Sequence, residues 1–273
     1  MRVEQLERRV LGAVVFQDST TGTRVLGPLR VSARGVHVVR NRSGCYVVFS
    51  APGFKAYTDS FLRQPVAAPP PDGIALGSVS VEISVSDPSG RYLPRRGTVS
   101  LPLDPATTRP DEGAWLFAPV GVRLFPSPTY GTVPGWAVIR ATVRERGMTD
   151  RLPWSLIKVK RAGTENVLAT GLADRRGEAL VAVPGLPVTT SDTGTGTVLT
   201  SEIAVELEVI FDTRVKKVRD PEDLEALAHS PDAYIPDPFA LETGQHPDLR
   251  SDTTTASLAS GKEQTTELTV PLS

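Results

Sequence analysis

The stretch 135–186 constrains the fold most, because short runs of alternating apolar and polar residues follow one another there with tight connections. Alternation with a period of two, bounded by Gly, Asp and Pro, is typical of half-buried antiparallel strands. The run Ala-Asp-Arg-Arg-Gly at 173–177 predicts a turn, with Asp174 bonding its own backbone and Gly177 supplying a positive φ. The stretch therefore predicts antiparallel β-sandwich structure, with strands at Ala137–Val143, Leu156–Arg161, Val167–Leu172 and Glu178–Val183.

A second part of the chain repeats this pattern. Arg40–Gly53 reads RNRSGCYVVFSAPG and parallels Ala173–Gly185, because each has a polar turn closing on Gly, then a strand, then Pro-Gly. The strands that precede the two turns also correspond in order. Self-similarity of this kind predicts two diverged copies of one sandwich. The corresponding strands are Gly12–Phe16 with Trp136–Thr142, Leu29–Ser32 with Leu156–Lys160, and Val79–Val85 with Val198–Phe211.

The length of 273 residues suits two domains. We expect an all-β protein with two tandem antiparallel β-sandwich domains, at 1–104 and 105–273. The second contains an inserted helix and an extended C-terminal arm at 220–257. The helix begins at Asp220 as N-cap with Pro221 in its first turn. Pro94 and Pro102 predict an edge strand over Arg91–Leu103, because proline cannot donate to a ladder.

Charge and apolar pattern argue against several classes of partner. The net charge of −1 gives no electrostatic reason to expect nucleic acid or an anionic membrane. No apolar run reaches the 18 residues or so of a membrane span, and the first ten residues lack a signal-peptide core. The single cysteine, Cys45, is expected to be a small buried strand residue. We therefore expect the protein to be made and folded in a cytoplasm.

No motif for catalysis, cofactor or metal is found. The three histidines, His37, His229 and His246, lie in unlike contexts and form no metal-binding spacing. Turn aspartates are expected to be structural, with calcium at a sandwich rim as the alternative; they are Asp18, Asp87, Asp174 and Asp192. We expect no catalytic residues, no cofactor and no metal, and hence no enzyme.

Basic and aromatic clusters leave two interpretations open. The basic runs Arg144–Arg151 and Arg214–Arg219 have acidic neighbours, which favours a solvated strand face over a partner surface. Trp115, Trp136 and Trp154 cluster near the start of the second predicted sandwich. They are expected in the core, with a carbohydrate platform or an interface anchor as alternatives.

The predicted arm carries more apolar side chains than a spacer needs. We expect it to bind a neighbouring subunit or partner protein and to become ordered on binding. The candidate partner-binding residues are Leu224, Leu227, Tyr234, Ile235, Phe239 and Leu241.

Stretch 135–186 resembles carboxypeptidase-regulatory-like, or transthyretin-like, domains. The match includes the strand Ile139–Val143, the Pro-containing approach Pro153–Val159, the turn 173–177 and the strand that closes on Pro-Gly at 184–185. Ala173 and Ala179 depart from the usual Thr and aromatic residue. Such domains are mostly structural modules, so this resemblance implies sandwiches of transthyretin-like or Ig-like type and little function.

Residues 115–215 also resemble proteins encoded with extracellular contractile injection systems, the phage-tail-like particles. The run LFPSPTYGTVPGWAVIRATVRERG and the segments that follow look most like the cap-adaptor type of component. This resemblance implies a structural protein that joins the tube or sheath end to the cap. It also implies a homo-oligomer with sixfold symmetry and cap, tube or sheath proteins as partners. The alternative function is a carbohydrate- or surface-binding β-sandwich module.

Overall fold

The computed structural model describes residues 10–50, 78–102, 118–187, 189–190, 198–199, 202–229, 234–244 and 246–272. Strands dominate these residues and only two short helices occur among them, so the all-β prediction is confirmed. The chain forms two compact units. Among the described residues, the first unit comprises 10–17, 23–50, 78–88, 96–102 and 118–123. The second comprises 18–22, 89–95 and the described residues from 124 onward.

The first unit contains two sheets whose buried residues alternate along the strands. One sheet has the order β3-β4-β1-β7 and the other β2-β5-β6. Val14 and Val48 from the first sheet, and Ile83 and Leu101 from the second, are each at most 5% exposed. The strand β6 lies at an edge, as predicted for Arg91–Leu103, but it begins at Arg95, after Pro94. The strands are β1 Gly12–Asp18, β2 Arg30–Ala33, β3 His37–Arg40, β4 Tyr46–Ser50, β5 Ser78–Ser86, β6 Arg95–Pro102 and β7 Val120–Leu124.

The second unit also has two main sheets, ordered β10-β9-β14-β15 and β11-β8-β16, and the small β12-β13 pair. Their pairings are antiparallel except that of β16 with β8, which is parallel, so the antiparallel prediction is wrong for that pair. Both main sheets contribute to one hydrophobic cluster, with Ile139 and Val159 fully buried. The predicted domain boundary at 104/105 lies outside the described residues. The strands are β8 Ala137–Glu145, β9 Leu156–Arg161, β10 Val167–Leu172, β11 Glu178–Val183, β12 Thr189–Thr190, β13 Val198–Leu199, β14 Glu202–Asp212, β15 Leu249–Ala259 and β16 Glu263–Val270.

The two copies of the repeated turn share their hydrogen bonds. The side-chain oxygen Oδ1 of Asn41 accepts from the backbone N–H of Cys45 at 2.9 Å, and Oδ1 of Asp174 accepts from Glu178 at 3.1 Å. In each copy the first and last residues also exchange a backbone bond, Asn41 N–H to the Cys45 carbonyl at 2.8 Å and Asp174 N–H to the Glu178 carbonyl at 2.7 Å. The similarity that the sequence shows at these positions is therefore also a similarity of local structure.

The order of the strands in the sheets is also similar in the two units. The set β4-β1-β7 in the first unit matches β11-β8-β16 in the second, and β2-β5-β6 matches β9-β14-β15. One strand of each unit breaks the match. In the first unit, β3 pairs with β4, whereas its counterpart β10 pairs with β9 in the other sheet. The two units therefore share one strand order, apart from a single strand that changes sheets.

Gly177, in the repeated turn, is constrained by both its backbone conformation and the atoms around it. Its φ is +74°, and an added Cβ would lie 3.1 Å from the Val143 carbonyl oxygen and 3.3 Å from the Leu152 backbone nitrogen. Gly185 has a similar φ of +73° with no atom within 4 Å. We expect Gly185→Ala to cost about 1 kcal/mol, since left-handed backbone is strained in L-residues, and Gly177→Ala to cost about 1 kcal/mol more through crowding. Urea unfolding of both variants checks this, and equal losses would contradict it.

The region assigned to an arm contains more regular structure than the sequence predicts. Helix α1 spans Pro221–His229, as the N-cap signal indicates, and a second helix, α2, spans Pro238–Thr243. Leu249–Ala259 forms β15, which pairs along its whole length with β14. The extended-arm prediction is therefore wrong for residues 249–257. Their Thr and Ser residues belong to an edge strand, which needs few apolar side chains.

Candidate protein-interaction site

The segment 234–244, called here the Phe239 segment, is fixed by capping at both ends of α2. The carboxylate of Asp237 accepts from the Phe239 backbone N–H at 3.1 Å, and Gly244 ends the helix in the left-handed conformation. An N-cap acceptor and a C-terminal glycine satisfy groups that a helix end leaves free. Two bonds tie the helix to other elements of the same unit. Arg95 pairs with Asp237 at 3.1 Å, and the Lys158 ammonium donates to the Glu242 carbonyl at 3.0 Å.

The two large apolar side chains of α2 have opposite environments. Leu241 is 1% exposed and belongs to the core cluster of the second unit. Phe239 is 61% exposed. Since successive helical residues are about 100° apart, positions 239 and 241 lie on opposite faces. Ile235 is partly buried against the same core. The segment thus uses Leu241 and Ile235 to attach to its own unit and presents Phe239 to solvent.

Asp212, at the end of β14, holds the beginning of the segment. It is 1% exposed, and its Oδ2 accepts from the Tyr234 hydroxyl at 2.9 Å. The Arg214 guanidinium donates to both carboxylate oxygens, at 2.9 Å and 2.6 Å, and also to the Tyr234 hydroxyl oxygen at 2.6 Å. It lies 4.9 Å from the centroid of the Tyr234 ring as well. This cluster fixes Tyr234, which is itself 42% exposed, close to the sheet.

The electrostatics of the cluster favour the charged carboxylate. Burial opposes the ionised form of Asp212, but the hydrogen bonds from Arg214 and Tyr234 outweigh it, so the pKa of Asp212 is lowered. Burial, together with the hydrogen bond to Asp212, raises the pKa of Tyr234 to about 12. At neutral pH the tyrosine therefore keeps its proton and donates a hydrogen bond to a carboxylate that stays ionised.

Asp212 was missed in the sequence, although a local signal for it exists. Asp174-x-Arg176 and Asp212-x-Arg214 have the same spacing and the same geometry. In both, the aspartate accepts from the backbone N–H two residues on, at 2.7 Å and 3.0 Å, and from the side chain of that arginine at 2.9 Å. An Asp-x-Arg sequence near the end of a strand could therefore have indicated the hydrogen-bonded turns at both Asp174 and Asp212.

Helix α1 carries the other two predicted residues. Leu224 and Leu227 are both partly exposed. Asp220 caps the helix by accepting from the Asp223 backbone N–H at 3.0 Å, and Asp223 in turn pairs with Lys216. The six predicted partner-binding residues therefore divide into a buried one, Leu241, and five with some exposure. Phe239 is the most exposed of those whose fraction is known.

The basic runs are largely neutralised within the chain. Arg144 pairs with Glu267, and Arg151 with Glu178. In the second run, Lys217 and Arg219 both pair with Asp150. These contacts favour the interpretation of a solvated, internally compensated face over that of a cationic partner surface.

The remaining predicted positions form no reactive cluster among the described residues. Trp154 is 6% exposed, with a φ of 58°, and Trp136 is partly buried, whereas Trp115 lies outside the described residues. His37 is exposed, and His246 lies 3.4 Å from Asp248. The described residues contain no group of three or more His, Cys, Asp or Glu placed to hold a metal ion. None of the helices described is long and apolar enough to cross a membrane.

The carboxylate of Asp18 is buried and hydrogen-bonded to two tyrosines that the sequence did not indicate as its partners. Asp18 is 2% exposed and accepts from the hydroxyls of Tyr92 at 2.9 Å and Tyr130 at 2.6 Å. Its other oxygen accepts from the Thr20 backbone N–H at 2.7 Å. Burial and the neighbouring carboxylate raise the pKa of both tyrosines. These hydrogen bonds indicate a structural role for Asp18. Asp192 lies outside the described residues.

Comparison with known proteins adds no relative: no protein-family model matches the chain, and no significant match is found among curated proteins.

Proposed function

We propose that the protein is a non-catalytic structural adaptor of a phage-tail-like contractile injection particle, joining the tube or sheath end to the cap. The sequence resemblance over residues 115–215 supplies this identity. The partners we propose are cap, tube or sheath proteins of the same particle, and the homo-oligomer has sixfold symmetry. The protein assembles in the cytoplasm as part of a particle that can be released.

The observation that carries the binding role is the exposed Phe239 on a fixed support. An aromatic side chain that leaves 61% of its surface in water, on a helix capped at both ends, loses little conformational freedom on binding. Aromatic anchors of this kind are enriched among interface residues that carry binding energy. Leu224, Leu227 and Tyr234 are the further partly exposed residues that we propose for partner binding, whereas Leu241 and Ile235 pack on the core and support the segment.

We further propose that the architecture is two tandem sandwiches of transthyretin-like type, with β16 and β8 as a parallel pair in the second. The repeated Asn41 and Asp174 turns and the matching strand orders support this interpretation. The arm is then limited to the insertion between β14 and β15. A carbohydrate platform receives no comparable support, because Trp154 is buried among core residues.

The test uses Phe239→Ser with Met148→Ser as the matched control, because Met148 is also 61% exposed and lies in the turn after β8. Binding of each purified variant to the cap, tube and sheath proteins encoded with it is measured by calorimetry. We expect Phe239→Ser to weaken binding to one of them about 30-fold, the effect of losing an interface anchor. Met148→Ser should bind like the wild type, and both should keep the wild-type unfolding midpoint. Equal binding by the wild type, Phe239→Ser and Met148→Ser would contradict the proposal.

A further inference from the structure

The strand β15 leaves one side of its backbone unpaired among the described strands. It pairs with β14 through all eleven residues, from Leu249 opposite Asp212 to Ala259 opposite Glu202. On its other side, the order β10-β9-β14-β15 ends. Thr253, Thr254 and Thr255 are all exposed, and successive strand residues point to opposite faces. Both faces of the strand centre are therefore open to solvent.

The position of Thr254 shows that the centre of β15 lies beyond the part of the sheet that is covered by other elements. Thr254 lies directly opposite Leu207, so the two side chains share a face, yet Leu207 is 1% exposed and Thr254 is exposed. A partner strand placed beside β15 would therefore cover side chains on both faces, in addition to satisfying the backbone groups of the edge.

Most devices that protect edge strands are absent from β15. Edge strands usually avoid pairing through proline, lysine, short length or a bulge. The strand contains no proline and no lysine, and its pairing with β14 runs without a register shift. Its one acidic residue, Asp252, is paired with Arg146. By contrast, β10 at the other edge of the sheet has six residues and a register shift near Val167. If β15 of one copy paired with β10 of the next, an eleven-residue edge would thus meet a six-residue one.

The strand is complementary to itself in the register that uses its full length. Antiparallel pairing of two copies over Leu249–Ala259 has its centre at Thr254, which then faces its own equivalent. Ser251 faces Ser257, Thr253 faces Thr255, and Asp252 faces Ala256. Hydroxyl pairs of this kind are favourable across strands, and no like charges lie directly opposite each other.

We infer that β15 binds a second copy of this chain, edge to edge and antiparallel about Thr254, in the free protein. The pairing would join two four-stranded sheets into one eight-stranded sheet through about ten backbone hydrogen bonds. It concerns the free protein before assembly and does not depend on the proposed adaptor function. The matching length, register and charge favour β15 of the second copy over its β10 as the strand that pairs here.

Introducing a charge at position 254, on the proposed axis, tests both the contact and its register. Because position 254 faces itself, Thr254→Lys and Thr254→Glu each place like charges opposite each other, which destabilises a cross-strand pair. The dissociation constant is measured by analytical ultracentrifugation over a concentration series. We expect wild-type dimers, a several-fold weaker dimer for either variant alone, and recovery in an equimolar mixture of the two. Salt should reduce the loss, since it screens exposed charges.

Thr255→Lys is the matched control, because it adds the same charge one residue away, where it would face Thr253 rather than itself. It should weaken the dimer less than Thr254→Lys. Both threonines are exposed, so unfolding midpoints measured at a concentration where the wild type is monomeric should be unchanged, which will show that the variants fold. A monomeric wild type, a dimer or larger ring insensitive to Thr254→Lys, or equal losses at 254 and 255 would each overturn the inference.

Discussion

Leu241→Ala is expected to destabilise the second unit by about 2–5 kcal/mol, the cost of removing most of a buried leucine side chain. The residue is 1% exposed and lies in the same core cluster as Ile157 and Phe211. Its loss would leave a cavity beneath α2 that the helix cannot readily fill, because Asp237 and Glu242 hold that helix to Arg95 and Lys158. Urea unfolding at equilibrium measures the change in free energy.

Phe239→Ala provides the comparison within the same helix. Its side chain is 61% exposed, so truncation should change the free energy of unfolding by less than about 0.5 kcal/mol. The pair therefore separates stability from binding: Leu241 supports the segment, and Phe239 is free to contact a partner. If both variants lost the same free energy, α2 would not occupy the position described, and the basis for the proposed binding role would fail.

The strands that the sequence predicts well are those with a covered face. Residues 137–143 lie in β8, where buried and partly buried residues alternate from Ile139 onward. Residues 178–183 lie in β11, where 179–183 are all buried, as the apolar run there indicates. Helix α1 was readable because Asp220 and Pro221 form a start signal that acts locally. In each case the information lies within a few neighbouring residues.

By contrast, β15 depends on a distant partner. Its centre, Thr253 to Thr255, has no apolar alternation because both faces are open there. What makes it a strand is pairing with β14, some 40 residues earlier in the chain, and no local pattern reports that pairing. A run of β-branched threonines was the weak available signal, since such residues favour strands.

The candidate site was predicted in composition but not in arrangement. The apolar residues of the Phe239 segment stood out, yet their burial could not be read without recognising α2. Once residues 238–243 are a helix, Phe239 and Leu241 must lie on opposite faces. The attachment through Asp212 depends on contacts between β14 and a segment about 20 residues later, which spacing alone does not reveal.

Asp212→Asn is expected to cost about 2–4 kcal/mol at neutral pH, somewhat below the usual loss on breaking a buried ion pair. The discount applies because Arg214 is 43% exposed and can be solvated when its partner is neutral. The amide that replaces one carboxylate oxygen would also face donors from Arg214 and Tyr234, which leaves hydrogen bonds unmade. Unfolding of the variant and the wild type by urea at pH 7 gives this difference.

The pH dependence of that difference identifies its cause. The pKa of Asp212 is lower in the folded protein than in the unfolded chain, where an aspartate has a pKa of about 3.9. Its contribution to stability is therefore fully present above about pH 4 and is lost as the pH falls through the folded-state pKa. We expect the free-energy gap between wild type and Asp212→Asn to be constant from pH 5 to 8 and to shrink below pH 4. Tyr234→Phe, which removes one donor and keeps the charge pair, should show a smaller gap at pH 7. A gap for Asp212→Asn that persists unchanged in acid would mean that packing, rather than the ionised carboxylate, holds the segment to the sheet.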